Sequence, residues 1–223
     1  MTGGEPSRTD SGDEPDGDLA AGVLGQWLVA VRDAIDGRGD SDVPCGSCTA
    51  CCRSSQFVHI GPDEVDTLAH VPEALLFEAP GLPPGHRVLG FDEHGACSLL
   101  AEDGCTIYDH RPRTCRTYDC RVFAATGVDV GADKPAIGAR AVRWRFELGP
   151  GDGVRRGALR AAADRLATDA DLRTALRMGT GATERAVLAV EVHDAFLDRD
   201  DAGGARLVEP EAAAVVDRAR RRR

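Results

Sequence analysis

A chain of 223 residues with a formal net charge of -10 is long enough for one good domain with appendages or for two small ones. The acidic balance weighs against a general grip on nucleic acid or anionic membrane, and no run of 18 or more apolar residues suits a membrane span. Two Trp, two Tyr and six Phe imply a modest core, and Lys134 is the lone lysine among basic residues that are otherwise arginine.

Met1 to Asp18 is polar, acidic and Gly-rich, with Pro6 and Pro15, and lacks the apolar side chains that offset the entropy of ordering; a disordered tail is predicted. It also lacks the basic start and apolar centre of a secretory signal, so the cytoplasm is the expected compartment. Thiols stay reduced there, and an even cysteine count points to ligands before disulfides. From Leu19 to Ile35 the apolar positions Leu19, Val23, Leu24, Trp27, Leu28, Val31 and Ile35 recur at steps of three and four, which predicts one amphipathic helix.

Phe57 to Ile60 reads as a strand, and Gly61-Pro62-Asp63-Glu64 as the start of a helix that ends near His70. Arg87 to Phe91 suits a strand. Cys97 to Leu100 and Cys105 to Tyr108, separated by Glu102-Asp103-Gly104, resemble a hairpin whose regular form would place Cys97 and Cys105 on opposite faces. Asp109-His110-Arg111-Pro112 is a helix-start signal, with Cys115 early in the helix, where amide dipoles and the flanking Arg113 and Arg116 would favour its thiolate. Cys115 and Cys120 lie about 140° apart around an ideal helix and can share an ion only if the helix ends between them.

Gly127 to Gly138 is expected to be a loop, and the alternation of Val142, Trp144 and Phe146 suits a strand within Ala139 to Leu148. Helices follow over Val154 to Ala167, Ala170 to Met178, Thr183 to Leu197 and Glu209 to the end. Gly149 to Gly153 is the plausible internal boundary. The expected class is α+β: a tail over 1–18, a small cysteine-rich, metal-stapled domain with short strands over 19–148, and a helical C-terminal region over 149–223.

The chemistry concentrates in Cys45-Gly46-Ser47-Cys48-Thr49-Ala50-Cys51-Cys52, four thiols in eight residues. Two-residue gaps let backbone turns aim successive sulfurs at one ion or cluster, and the adjacent Cys51 and Cys52 diverge wherever the chain is extended, so one of them is free to serve a second site. Cys97, Cys105, Cys115 and Cys120 bring the total to eight, enough for two four-thiolate centres. Cys45, Cys48 and Cys51 reproduce the first three ligands of a ferredoxin-type run, but Cys52 follows at once where that run continues differently. For zinc, a CxxC knuckle with two distant thiolates is the usual recipe. Iron and zinc both remain open. His59, His86, His94 and His110 are further ligand candidates, His110 the best placed. Arg111, Arg113, Arg116 and Arg121 either offset thiolate charge or form surface ion pairs with Asp109 and Asp119.

The four N-terminal cysteines, the later Gly95-Ala96-Cys97 and the run Cys105-Thr106-Ile107-Tyr108-Asp109-His110-Arg111-Pro112-Arg113-Thr114-Cys115-Arg116 to Cys120 together resemble the bacterial YkgJ-type cysteine-cluster family, a zinc- or iron-chelating domain. The resemblance covers about Cys45 to Cys120. It implies metal binding through the eight cysteines, with iron, as an iron–sulfur cluster or a mononuclear ion, or zinc as the cofactor. Some relatives are labelled iron–sulfur oxidoreductases, and flagellin lysine methylases carry a similar cluster, which makes an iron–sulfur redox or methyl-transfer enzyme the alternative. This chain has no glycine-rich S-adenosylmethionine loop. The expected partner is a metal ion, with neither nucleic acid nor membrane; no protein partner is indicated.

Overall fold

The computed structural model describes residues 17–199 and 204–221. The tail expected over 1–18 lies almost wholly outside the described residues. Strand β1 (Leu19–Val23) runs straight into helix α1 (Leu24–Ile35). One continuous helix was expected here, and the difference has a local cause. Gly22 sits at φ +86°, a left-handed backbone that cannot continue an α-helix, and it marks a register shift where β1 pairs in parallel with β7 (Trp144–Glu147).

A small lobe follows. Strands β2 (Val58–Ile60), β3 (Leu76–Glu78) and β4 (Arg87–Leu89) form an antiparallel sheet in the order β2-β4-β3, and α2 (Val65–His70) lies between β2 and β3 in the chain. The helix starts three residues later than Pro62 suggests because Glu64 is used otherwise: its carboxylate accepts from the Gly61 and Arg113 amides at 2.8 and 2.5 Å. The expected hairpin shrinks to β5 (Leu100–Ala101) and β6 (Gly104–Cys105), and Cys97 instead makes an isolated bridge with Phe91.

Next come the short helices α3 (Arg113–Thr117), α4 (Arg121–Thr126) and α5 (Pro135–Ala141). The last falls partly in the stretch expected to be a loop, with Pro135 at its first position, where a missing amide proton costs nothing. The C-terminal region consists of α6 (Asp152–Thr168), α7 (Ala170–Leu176), α8 (Ala182–Val192) and α9 (Ala212–Arg220), with the β8 (Leu197–Arg199) and β9 (Ala205–Leu207) pair between the last two. The chain is α+β, with a cysteine-rich N-terminal region and a helical C-terminal part. No helix among the described residues is long and apolar enough to cross a membrane.

Two cores result. The larger joins α1, α4, α5 and β7 to α6–α9 through Leu24, Phe123, Ile137, Leu159, Leu166 and Val190, so segments on both sides of residue 149 share it. The smaller contains Ile60, Val71, Leu89, Leu99 and Ile107, with Cys97 and Cys105 packed against it. The CxxCxxCC stretch links the two.

Candidate metal centre

The approach to the first cysteine is fixed by a buried charge pair. Asp119 accepts from the Trp27 indole at 2.9 Å, from the Ser41 hydroxyl at 2.7 Å and from the Arg121 guanidinium at 2.7 Å, and Arg121 also donates to the Asp42 carbonyl at 3.0 Å. Arg140 donates to the Cys45 carbonyl at 3.3 Å and lies over the Trp144 ring. The Cys48 amide then donates to the Cys45 carbonyl at 2.9 Å, closing a turn in which Gly46 takes φ +56°, so the CxxC gap is a tight knuckle. Cys51 and Cys52 fall in the short 3-10 turn Cys51–Arg53, not in extended chain.

All eight thiols are free. Burial pushes the Cys51 thiol up, and Cys120, Cys45, Cys52 and Cys48 push it further. Burial is also the main cause at Cys45, where Cys48 adds to it and Arg140 opposes. Cys120 is raised to about 11, chiefly by burial; the Trp144 indole opposes this by donating to its sulfur at 3.1 Å, while Asp119, Cys45 and Cys48 add to it. Cys45, Cys48, Cys51 and Cys120 thus act on one another at the edge of the larger core, and Cys52 also acts on Cys51.

A second neighbourhood forms beside the small lobe. Burial, then Cys97 and Cys105 and after them Cys48 and Cys45, raise Cys52 to about 11, so Cys52 couples to both groups; burial, then Cys52, Cys97 and Cys105, raise Cys115 to about 12. Burial raises Cys97, the Leu99 amide opposes and Cys105 adds to it. The Cys97 amide donates to the Cys52 carbonyl at 2.7 Å, tying the hairpin to the CxxCxxCC stretch. Cys115 is the most exposed residue of this set, although protein atoms crowd its thiol.

Three expectations change. Cys97 and Cys105 lie in the same neighbourhood, because the hairpin is only two residues deep on each side and Cys97 stands outside it. The Cys115 thiol is raised, not lowered: Arg113 is engaged with Asp63 at 2.5 Å and Arg116 with Asp40 at 3.2 Å, leaving Arg111 as the opposing cation. The helix does end between Cys115 and Cys120, since α3 stops at Thr117, yet the two thiols belong to different neighbourhoods. Of the arginines, Arg121 pairs with Asp119, but as a buried pair and not the surface one expected, and Arg111 stacks on the Tyr108 ring at 3.6 Å.

The residues suit a soft metal centre. Cys45, Cys51, Cys52, Cys97, Cys115 and Cys120 are raised chiefly by burial and further by neighbouring thiols; a bound cation would offset that cost. Tyr118, whose hydroxyl is pushed up by burial and by Cys51 and Cys120, and Gln56 beside it each bury a polar atom without a hydrogen-bond partner. Polar groups orphaned beside sulfurs are suited to donate to thiolates. Among the described residues no three sulfurs lie within 4.8 Å of one another; Asp66, His70 and His110 are the side chains that do meet that spacing. A tetrahedral zinc ion with Zn–S near 2.3 Å would draw four sulfurs to about 3.8 Å apart.

Residues 44–130 match the CxxCxxCC family model, whose description is "Putative zinc- or iron-chelating domain". The resemblance read from the cysteine spacing is borne out over that segment. It supports metal binding and leaves zinc and iron undecided. The matched segment is less than half of the chain, and it contains all eight cysteines. No curated protein and no solved structure matches the chain.

Trp144, Arg140 and Gln56 were not recognisable as site residues in the sequence. Trp144 reads as an ordinary inward position of a strand, and its partner Cys120 is 24 residues away.

Proposed function

We propose that the chain binds metal through two four-thiol sets, Cys45, Cys48, Cys51 and Cys120 in one and Cys52, Cys97, Cys105 and Cys115 in the other, each holding iron, as a cluster or a mononuclear ion, or zinc. What supports this is that eight free thiols crowd one region, where Cys51 feels Cys120 and Cys45 most strongly among its thiol neighbours and Cys115 feels Cys52, Cys97 and Cys105. Bound metal supplies folding energy and fixes the thiols as thiolates. The chain's own residues do the rest. Arg140 and Arg111 oppose the negative charge at Cys45, and the Trp144 indole donates to Cys120. Loading displaces protons from thiols that burial has raised, so affinity falls as pH falls.

A second reading is an iron–sulfur redox or methyl-transfer enzyme working at the Cys115 set. The exposure of the Cys115 residue favours it. Elemental analysis and visible absorption of protein purified without air separate these. Brown protein that bleaches with dithionite supports the cluster; colourless protein releasing two zinc ions supports closed zinc sites. Protein that carries neither metal while all eight thiols stay reduced would sink both.

A further inference from the structure

Burial without a partner singles out two side chains beside the first thiol set. The Tyr118 hydroxyl and the Gln56 amide nitrogen are closed off from solvent, and neither has a hydrogen-bond partner. An unpaired buried donor is costly, and native structures keep few of them. Helix α3 stops at Thr117, and the backbone at Tyr118 is extended, with ψ +121°. Positions two apart in extended chain leave on one side, so Tyr118 and Cys120 face the same way, while Asp119 between them turns to Trp27, Ser41 and Arg121. Gln56 follows Ser55, a residue other than glycine held at φ +50°, a left-handed backbone that turns the chain just after the CxxCxxCC stretch. Cys51 and Cys120 both act electrostatically on the Tyr118 hydroxyl, in keeping with sulfurs close to it.

We propose that Tyr118 and Gln56 are positioning residues of the Cys45, Cys48, Cys51 and Cys120 set: in the loaded protein they donate hydrogen bonds to its thiolates, Tyr118 to Cys51 or Cys120, as the Trp144 indole already donates to the Cys120 sulfur at 3.1 Å. The inference rests on the two-set reading. A protonated thiol is a weak acceptor and leaves these donors idle, whereas a thiolate accepts strongly, so the pair is placed for the loaded protein. Both donors are neutral, and they steady thiolates without cancelling the charge that attracts the metal. Charged and imidazole donors are engaged elsewhere: Arg121 with Asp119 and the Asp42 carbonyl, His59 with His86 at 2.9 Å, and His110 with Asp66 at 2.8 Å. Hydrogen bonds to ligating sulfur tune metal affinity and, for iron, reduction potential.

The test is Co2+ loading of the full-length protein without air, which reports bound thiolates through their sulfur-to-metal charge-transfer absorption. About two Co2+ per chain are expected, one for each four-thiol set. Tyr118→Phe keeps the ring and removes the donor, and Gln56→Leu keeps the bulk. In each variant one Co2+ should absorb at longer wavelength, because a sulfur that loses its hydrogen bond gives up charge more readily. The same ion should lose roughly tenfold in affinity against a competing chelator, within the range of about 10–100-fold for outer-shell changes, with the other ion unchanged. Circular dichroism checks folding, and Gln56→Leu decides alone should Tyr118→Phe fail to fold. Spectra and affinities that match the parent's, or equal weakening of both ions, overturn the proposal and leave the two-set reading standing. A parent protein that takes up no Co2+ on its thiols sinks both.

Discussion

The larger core buries 29 side chains drawn from both ends of the chain, whereas the core under the small sheet buries five and is edged by Cys97 and Cys105. The two regions therefore have different means of holding together. The helical body is supported by ordinary packing, with Leu24, Leu159, Leu166 and Ala162 at no exposure, and by buried polar clamps. One is Asp152, at the start of α6: burial opposes its ionisation, but bonds from Arg155, Gly149 and Gly25 outweigh this and hold it below the usual carboxylate range. The small lobe has no comparable core, and segments so poor in buried apolar surface depend on staples. Cys52, Cys97, Cys105 and Cys115 would connect that lobe to the CxxCxxCC stretch and to α3.

Metal removal should separate the two regions most. Stripping the protein with a chelator under reducing conditions is expected to abolish amide-exchange protection across β2 to β6 while α6 and α8 stay protected. For zinc the loss is on the order of 10 kcal/mol, the scale of structural zinc sites. Equal loss of protection in both regions would erase the distinction.

Asp119→Ala strikes the junction. It strands the buried Arg121 guanidinium and frees Trp27 and Ser41, and breaking a buried pair costs about 3–5 kcal/mol. Denaturant melting should show that loss together with weaker metal retention at the Cys45 set; unchanged retention would mean that the loop over 41–45 needs no such anchor.

The helical body alone should respond to acid through His193. Burial lowers His193 to about 4 from its usual value near 6.5, and its Nδ1 donates to the Val190 carbonyl at 2.7 Å. The unfolded chain takes up the proton first, so stability is full above pH 6.5 and drains away as pH falls towards 4, by on the order of 3 kcal/mol. His193→Gln should flatten that part of the pH–stability profile; an unaltered profile refutes the assignment.

The smallest effect is expected at Arg113→Ala. Arg113 and its partner Asp63 are both half exposed, so melting temperature and metal content should match the parent protein within error. Loss of metal would give Arg113 a structural part in the second thiol set.

Much of the helical body was readable from periodicity. The positions Trp27, Leu28 and Val31 that the three-and-four spacing picked out are buried in α1, and α6 begins two residues before its expected start. Leu19 to Val23 was misread because its apolar residues also fit helical spacing, and its strand partner β7 is more than 120 residues away.

The order of residues by itself pointed to soft-metal chemistry, since two-residue gaps in a run of four thiols aim successive sulfurs at one centre, and that depends only on local spacing. Which thiols stand together was left to the tertiary structure. Cys120 is held beside the larger core by the Asp119–Arg121 pair and the Trp144 indole, and Cys97 is brought to Cys52 by the bond from its amide to the Cys52 carbonyl. The Trp144–Cys120 and Cys97–Cys52 hydrogen bonds join segments far apart in the chain, and no short-range pattern records them.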